Sequence, residues 1–160
     1  MTGVQLFAAS SGGRIGTISS VVVAVFEGPA EPAMLDSMER VNSEAAARWG
    51  KFTSLSIVAT PRLDVPPASY RERSAQLATR FQPNLRGTAI VILSKGAAAV
   101  ITRTYLAAHA LIVKQSTPQE VFRELGAAVQ WVQALPDQAV DVKTMTKLPA
   151  LIESFLFPPK

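Results

Sequence analysis

The sequence predicts one α/β domain, in which helices pack on a largely parallel sheet of four to five strands. Its length of 160 residues is close to the usual size of a single domain. Hydrophobic residues make up 48% of the chain and charged residues 18%, a balance typical of a globular fold. Apolar, β-branched segments alternate with segments of helical periodicity. Because long helices join successive apolar strands, we expect right-handed crossovers and parallel pairing.

The first predicted elements are two strands and a helix. Residues 4–8 are predicted to form a short strand, and residues 10–13 a flexible turn. Residues 18–26 are almost continuously apolar, as expected of a strand that is covered on both faces. In 32–48 the apolar residues recur every three to four positions, which predicts an amphipathic helix. Gly50 is placed to end this helix in the left-handed conformation.

A further strand and a second helix follow on either side of a proline-rich loop. The strand is predicted at 53–59 and the loop at 60–68. Ser69 and Glu72 then fit a capping box, in which each side chain bonds the free amide of the other residue. We therefore expect Ser69 to cap a helix that runs to Phe81.

Four more elements complete the predicted domain. A strand of the buried type at 88–93 leads into an alanine-rich helix at 97–113. A short strand at 119–122 and a helix at 124–135 follow. The domain is therefore expected to span residues 1–136.

The remaining segment, residues 137–160, is an apolar tail that contains one more predicted helix. Four apolar residues recur in it at helical spacing: Leu148, Leu151, Ile152 and Phe155. A surface this apolar is not expected to face water. It docks either on the preceding domain or on a second copy of the chain. In the second case the four residues are a self-association surface and the protein is a homodimer.

Composition excludes several classes of function. The chain has no cysteine and one histidine, which excludes thiolate zinc sites, iron–sulfur clusters and multi-histidine metal centres, so no cofactor is predicted. The net charge of +4 is spread along the chain, so nucleic-acid binding is not expected. No apolar run is long enough to span a membrane. The N-terminal segment lacks the pattern of an export signal, and a cytoplasmic location is therefore expected.

No catalytic template fits the sequence. His109 lies about one position away from the inward phase that Val100 and Ile101 set on its helix. It has no carboxylate partner nearby in sequence, so a surface or structural role is the simpler interpretation. The sequence also lacks a Gly-x-Ser-x-Gly elbow, a phosphate loop and a Gly-x-Gly-x-x-Gly motif. We therefore expect a protein that is not an enzyme.

A small-molecule site, if the chain has one, is expected where the parallel strands end. Open α/β sheets bind ligands at the carboxyl ends of their strands. The loop before Ser69 and the turn at Lys95 both fall there. The candidate ligand-binding residues are accordingly Arg62, Tyr70, Lys95 and Arg103.

Several short motifs resemble those of a known family. Phe-Glu-Gly at residues 26–28 ends a strand before the first helix, and Pro61 and Arg62 follow the next strand. The third strand reads AIVIL at residues 89–93, and residues 121–132 read VFRELGAAVQWV. In this order the segments resemble the bacterial STAS-like proteins. These are similar in fold to anti-sigma-factor antagonists and, more distantly, to CRAL-TRIO lipid-binding domains.

The resemblance covers about residues 4–135 and carries expectations about function. Family members with known roles are mainly non-enzymatic and bind other proteins, so it implies a regulatory, signal-transduction module whose partner is another protein. The tie to CRAL-TRIO domains leaves a small apolar-ligand or lipid carrier as an alternative. A self-associating structural protein is a further alternative, based on the tail.

Some family members are switched by phosphorylation of a serine at the start of a central helix. That serine usually follows an Asp, and in this chain Asp64 precedes Ser69 by five residues. The resemblance makes Ser69 a candidate phosphorylation site, and the alternative is a plain helix cap. A phosphate there would be favoured by the helix N-terminus and by Arg71 and Arg73. The candidate residues for phosphorylation or partner binding are therefore Asp64, Ser69, Arg71 and Arg73.

Overall fold

The structure is a computed structural model of the chain. It describes residues 4–10, 12–28, 31–59, 66–93, 95–112 and 116–157. Within these ranges the side chains of residues 10, 98, 101, 105 and 108–112 lie outside the description. None of the described helices combines the length and the apolar character that a membrane crossing requires.

A six-stranded sheet forms the centre of the fold, and its strands lie in the same order as in the chain. The strands are β1 (Val4–Ser10), β2 (Gly13–Ile18), β3 (Val21–Phe26), β4 (Phe52–Val58), β5 (Leu85–Ile92) and β6 (Gln119–Phe122). The pairs β1–β2 and β2–β3 are antiparallel, and the strands from β3 to β6 pair in parallel. The predicted α/β class with a largely parallel sheet is therefore confirmed, with six strands in place of four to five.

Six helices cover the two faces of the sheet. They are α1 (Pro32–Trp49), α2 (Ala68–Phe81), α3 (Ala97–Ile112), α4 (Leu125–Gln133), α5 (Val140–Lys143) and α6 (Leu148–Leu156). Side chains of α1, α2 and α3 pack on one face, and side chains of α4, α5 and α6 pack on the other. The three parallel crossovers place their helices on the same side because successive strands are added in one direction.

Strand β3 shows why the sequence there is apolar without interruption. Val21, Val23 and Val25 belong to the core that α4, α5 and α6 cover. Val22 and Ala24 point the other way, into the core beneath α1 and α2. Because successive side chains of a strand alternate between the faces and β3 is covered on both, every position of β3 is apolar.

The prediction of one strand over residues 18–26 is wrong, because this segment contains the turn of a hairpin. Ile18 ends β2 and pairs with Val21, the first residue of β3. Ser19 and Ser20 form the two-residue turn between them, and Ser19 has a left-handed φ of 51°. Such turns need positive φ, which glycine and asparagine adopt most readily. Because Ser19 and Ser20 are not typical residues of such a turn, the sequence did not predict the hairpin or strand β2.

The predicted capping box is also wrong. Helix α2 begins at Ala68 with Pro67 in the cap position, and no side-chain cap hydrogen bond is present. Ser69 is therefore already inside the first turn, so its side chain is not in the position from which a cap residue bonds the first free amides. The fixed φ of proline is compatible with the start of a helix. Pro66 and Pro67 are therefore followed directly by the first helical residue, Ala68, which precedes Ser69.

Helix α3 is rotated relative to the prediction. Val100, which we expected to point inward, is 60% exposed. Ala99 and Leu106 contact the sheet instead. One residue corresponds to a rotation of about 100° around a helix, so an error of one position exchanges a buried side for an exposed one. The side chains of Ile101 and His109 lie outside the described residues.

The C-terminal tail lies on the chain's own sheet. Leu148 and Ile152 are fully buried and Phe155 is almost so, whereas Leu151 is half-buried against the same core. A side chain at Gly16 of β2 would come within 2.9 Å of the Phe155 ring, so the glycine lets α6 lie close to the sheet. Of the two dockings that the sequence left open, the structure shows the intramolecular one. These side chains are covered within one chain.

Candidate binding surface on helix α2

Helix α2 has one buried side and one exposed side. Tyr70, Leu77 and Phe81 recur at helical spacing and are buried in the core beneath α1 and α2. The Phe81 ring meets the ring of Phe52 on β4 edge-on, with the ring centroids 6.3 Å apart. This aromatic pair and the apolar stripe fix the helix on the sheet.

Ion pairs fasten one flank of α2 to α1. Arg73 Nη2 lies 2.6 Å from Asp36 Oδ1 and 3.2 Å from Glu39 Oε2. Arg80 Nη1 lies 2.6 Å from the other oxygen of Glu39. The hydrogen bond to Asp36 raises the pKa of the Arg73 guanidinium above its ordinary value, so Arg73 stays cationic. These pairs are exposed, and their main effect is to orient α2 relative to α1.

A groove of about 710 Å³ runs along the outer side of α2. Its described lining consists of Ala68, Arg71, Glu72, Ala75, Gln76, Thr79 and Arg80. Of these, Arg80 also pairs with Glu39 of α1. These positions follow the helical repeat from the first turn of α2 to its last. The groove is therefore a continuous feature of one helix flank and is open to solvent.

Two charged groups in this groove are available for a partner. Arg71 and Glu72 are exposed, and neither makes an ion pair within the part of the chain that the structure describes. Ser69 is also exposed and lies in the same first turn. Small residues such as Ala75 leave room between the charged groups and the long polar side chains. The groove therefore presents hydrogen-bonding and charged groups to solvent.

The structure separates the candidate partner-binding residues that the sequence placed together. Ser69 and Arg71 lie at the exposed start of α2, and Arg71 lines the groove. Arg73 turns towards α1, where the two carboxylates described above bind it. Asp64 lies outside the described residues.

The candidate ligand-binding residues are likewise divided. The Tyr70 side chain is 9% exposed and belongs to the core. Lys95 is exposed just before α3, and Arg103 is half-buried on that helix. No ion pair of either cation occurs in the described ranges. Arg62 lies outside those ranges.

Arg14 is a structurally important residue that sequence reasoning missed. Its Nη1 and Nη2 donate to the two carboxylate oxygens of Glu27 at 3.0 and 2.9 Å. Its Nε and Nη2 also donate to the carbonyl oxygens of Phe155 and Leu156, at 3.1 and 2.6 Å. Carbonyls at the end of a helix have no partner in the helix, and a cation there is favoured by the helix dipole. A single arginine in a strand segment gives no sequence signal for contacts so distant in the chain.

The acidic residues do not form a metal site in the described ranges. No three of the His, Cys, Asp and Glu side chains described there come close enough to hold a metal ion. The Asp36 and Glu39 carboxylates of α1 are engaged by Arg73 and Arg80. The chemistry that the groove offers is therefore hydrogen bonding and charge.

Comparison with known proteins leaves the chain without an identified family. No protein family, no curated protein and no solved structure matches it. The STAS-like resemblance therefore stays a prediction from the short motifs quoted above.

Proposed function

We propose that this protein is a non-enzymatic regulatory module of the STAS-like type that binds another protein along the groove of α2. The observation that carries the proposal is the difference between the two flanks of this helix. One flank is bound to α1 through Arg73, and Arg80, at the C-terminal end of the groove, also pairs with α1. The other flank presents Arg71 and Glu72, which make no ion pair in the described part of the chain, in an open groove.

A rigid helix with one free flank is suited to recognition of a protein. An interface gains affinity when its groups are already held in the binding geometry, because less conformational entropy is then lost. Tyr70, Leu77 and Phe81 hold α2 on the sheet from below. A groove that is open along its length fits a protein segment better than a small molecule, since small-molecule sites enclose most of their ligand.

The short motifs add support for a regulatory role. They resemble a family whose characterised members mainly bind proteins, and some of these are switched at a serine near the start of a helix. Ser69 is exposed in the first turn of α2, two residues before Arg71. A phosphate on Ser69 would be favoured by the positive end of the helix dipole and would change the charge at the end of the groove.

The proposal is tested by isolating a binding protein with the intact chain as bait and then measuring its affinity for variants. Arg71→Glu should weaken binding by about tenfold or more, because it places a like charge where the partner's complementary group lies. Arg123→Glu is the matched control, since Arg123 is exposed and lies just before α4. This control should bind as the native chain does.

The outcomes separate the proposed role from its alternatives. Equal loss of affinity in the two variants would reject the α2 groove as the binding surface. Ser69→Asp should shift the affinity relative to Ser69→Ala if a phosphate at this position acts as a switch. A lipid or other small apolar molecule found with the gently purified protein by native mass spectrometry, with no protein partner, would favour the carrier alternative.

A further inference from the structure

The outer side of β1 is an open strand edge. β1 pairs with β2 and lies at one end of the sheet order, and no other described strand pairs with it. An unpaired edge presents backbone N–H and C=O groups that can bind a further strand. Natural proteins usually protect such edges with charged residues, proline, short strands or bulges.

The two edges of this sheet are protected to different degrees. β6 has four residues, and the exposed Glu120 stands within it. β1 has seven residues and contains no charged residue and no proline. Its protection is a bulge between Leu6 and Ala8, where the Phe7 carbonyl accepts a hydrogen bond from Arg40 Nη2 at 3.1 Å. The segment from Val4 to Leu6 lies before the bulge and remains open.

Exposed apolar side chains lie beside this open segment. Leu6 is 54% exposed and points to the face of the sheet that α6 covers, because it pairs with Gly16, which lies against the Phe155 ring. Phe157 follows the end of α6 and is 72% exposed. The Leu156 carbonyl is held by Arg14, whose partner across the strands is Ala9 of β1. The end of α6 therefore lies at the same edge of the sheet.

We propose that β1 is a dimerisation edge, at which the Val4–Leu6 segments of two copies pair antiparallel across a two-fold axis centred on Gln5. This register keeps both bulges outside the new ladder. It places Leu6 opposite Val4 of the second copy on the α6 face, and Gln5 opposite its own symmetry mate. The exposed Leu6 side chain of each copy is then shielded from water by Val4 of the other copy.

A second copy suits this edge better than a charged strand does. In a two-fold pairing centred on Gln5, a charge at position 5 would face its own symmetry mate, and a charge at position 4 or 6 would lie diagonally from its mate. β1 has no charge and so carries no such penalty. Pairing of β1 with β6 of another copy would instead extend without closing and would bring Glu120 to an apolar edge.

This interface replaces the tail surface as the place of self-association. Leu148 and Ile152 are fully covered within one chain. The β1 edge is separate from the groove of α2, so the dimer and the proposed partner protein use different surfaces. The proposal does not depend on the proposed function.

The dimer is tested first by mass in solution over a wide range of protein concentrations. Sedimentation or light scattering should show a monomer–dimer equilibrium for the native chain. Leu6→Lys should raise the dissociation constant about tenfold or more, because it places a charge from each copy in the apolar contact. Val100→Lys is the matched control, since Val100 is 60% exposed on α3. A native chain that stays monomeric at every concentration would overturn the proposal.

A single introduced cysteine tests the register. The native chain has no cysteine, so Gln5→Cys supplies the only thiol. Directly opposed residues of antiparallel strands have Cβ atoms about 4.5–5.5 Å apart, near the range of a disulfide. Mild oxidation should therefore yield a covalent dimer of Gln5→Cys and little of the control Glu120→Cys. A dimer that persists in Leu6→Lys, or that gives no crosslink at position 5, would place the contact elsewhere and reject this edge.

Discussion

Arg14 is predicted to hold the C-terminal helix on the sheet. The substitution Arg14→Met keeps the length and apolar stem of the side chain but removes the guanidinium. It leaves the Glu27 carboxylate without its bidentate partner and the carbonyls of Phe155 and Leu156 without their donor. Among the described residues, helix α6 is then attached to the sheet mainly through its apolar contacts.

The size of the effect follows from the exposure of the pair. Removing one partner of a fully buried ion pair costs about 3–5 kcal/mol. The Arg14 side chain is 15% exposed and that of Glu27 34%, so water partly solvates the groups that are left. Adding the lost helix-end hydrogen bonds, we expect a loss of about 2–4 kcal/mol in the free energy of unfolding. For a chain of this size, that lowers the melting temperature by roughly 5–15 °C.

The assay is urea or thermal unfolding of Arg14→Met beside Arg80→Met. Arg80 also pairs with a carboxylate, but the side chains are 55% and 39% exposed, so its replacement should cost about 0.2–1 kcal/mol. Amide hydrogen exchange should show that α6 opens more often in the Arg14 variant. Equal stability of the two variants, or unchanged exchange in α6, would refute this account of the helix end.

Two further predictions concern packing. Ile152→Ala removes a fully buried side chain of α6 and should lower the free energy of unfolding by about 2–5 kcal/mol in a urea titration, and a loss below 1 kcal/mol would mean that α6 is not docked as described. Gly87→Ala should cost about 1–3 kcal/mol, because its Cβ would lie 3.0–3.2 Å from the side chains of Leu135 and Trp131. Gly126→Ala, with no atom within 4 Å of the new Cβ, should instead stabilise helix α4 by up to about 1 kcal/mol, and thermal melts that rank the two glycine variants in the opposite order would contradict the packing.

Elements that are buried on both sides were the most predictable from the sequence. Strand β3 is an uninterrupted apolar run, β4 and β5 have apolar residues at most of their buried positions, and α1 has an apolar stripe, so their existence follows from local pattern. The tail helix was predicted from four apolar residues at helical spacing. Its docking on the same chain could not be predicted. The spacing of the apolar residues indicates that one face of this helix must be covered, but it does not indicate whether the same chain or another molecule covers it.

The prediction was wrong where the local sequence signal was weak, and where a shift of one or two residues changes which side chains are buried or cap a helix. The serine pair at Ser19 and Ser20 adopts a turn that other residues favour, so a hairpin was taken for one strand. The cap position lies at Pro67, two residues before Ser69, which places the serine inside the first turn. A phase error of one position on α3 put Val100 on the wrong side.

The candidate sites depended on tertiary structure more than the fold did. Ser69 and Arg71 were named from the sequence and lie on the exposed start of α2. Arg73 was named with them, but it is bound by two carboxylates of α1 that no spacing rule brings next to it. Tyr70 was named as a ligand contact and is a core residue.

The sequence by itself determined the α/β class, the order of most elements and the absence of cysteine and multi-histidine chemistry. These properties are local or compositional, because hydrophobic periodicity and residue type do not depend on distant parts of the chain. Only the tertiary structure decided that the tail covers its own sheet, that Arg14 binds the end of α6 and that no described strand other than β2 pairs with β1. Each of these depends on residues far apart in sequence that share a surface only after the strands have paired and the helices have packed.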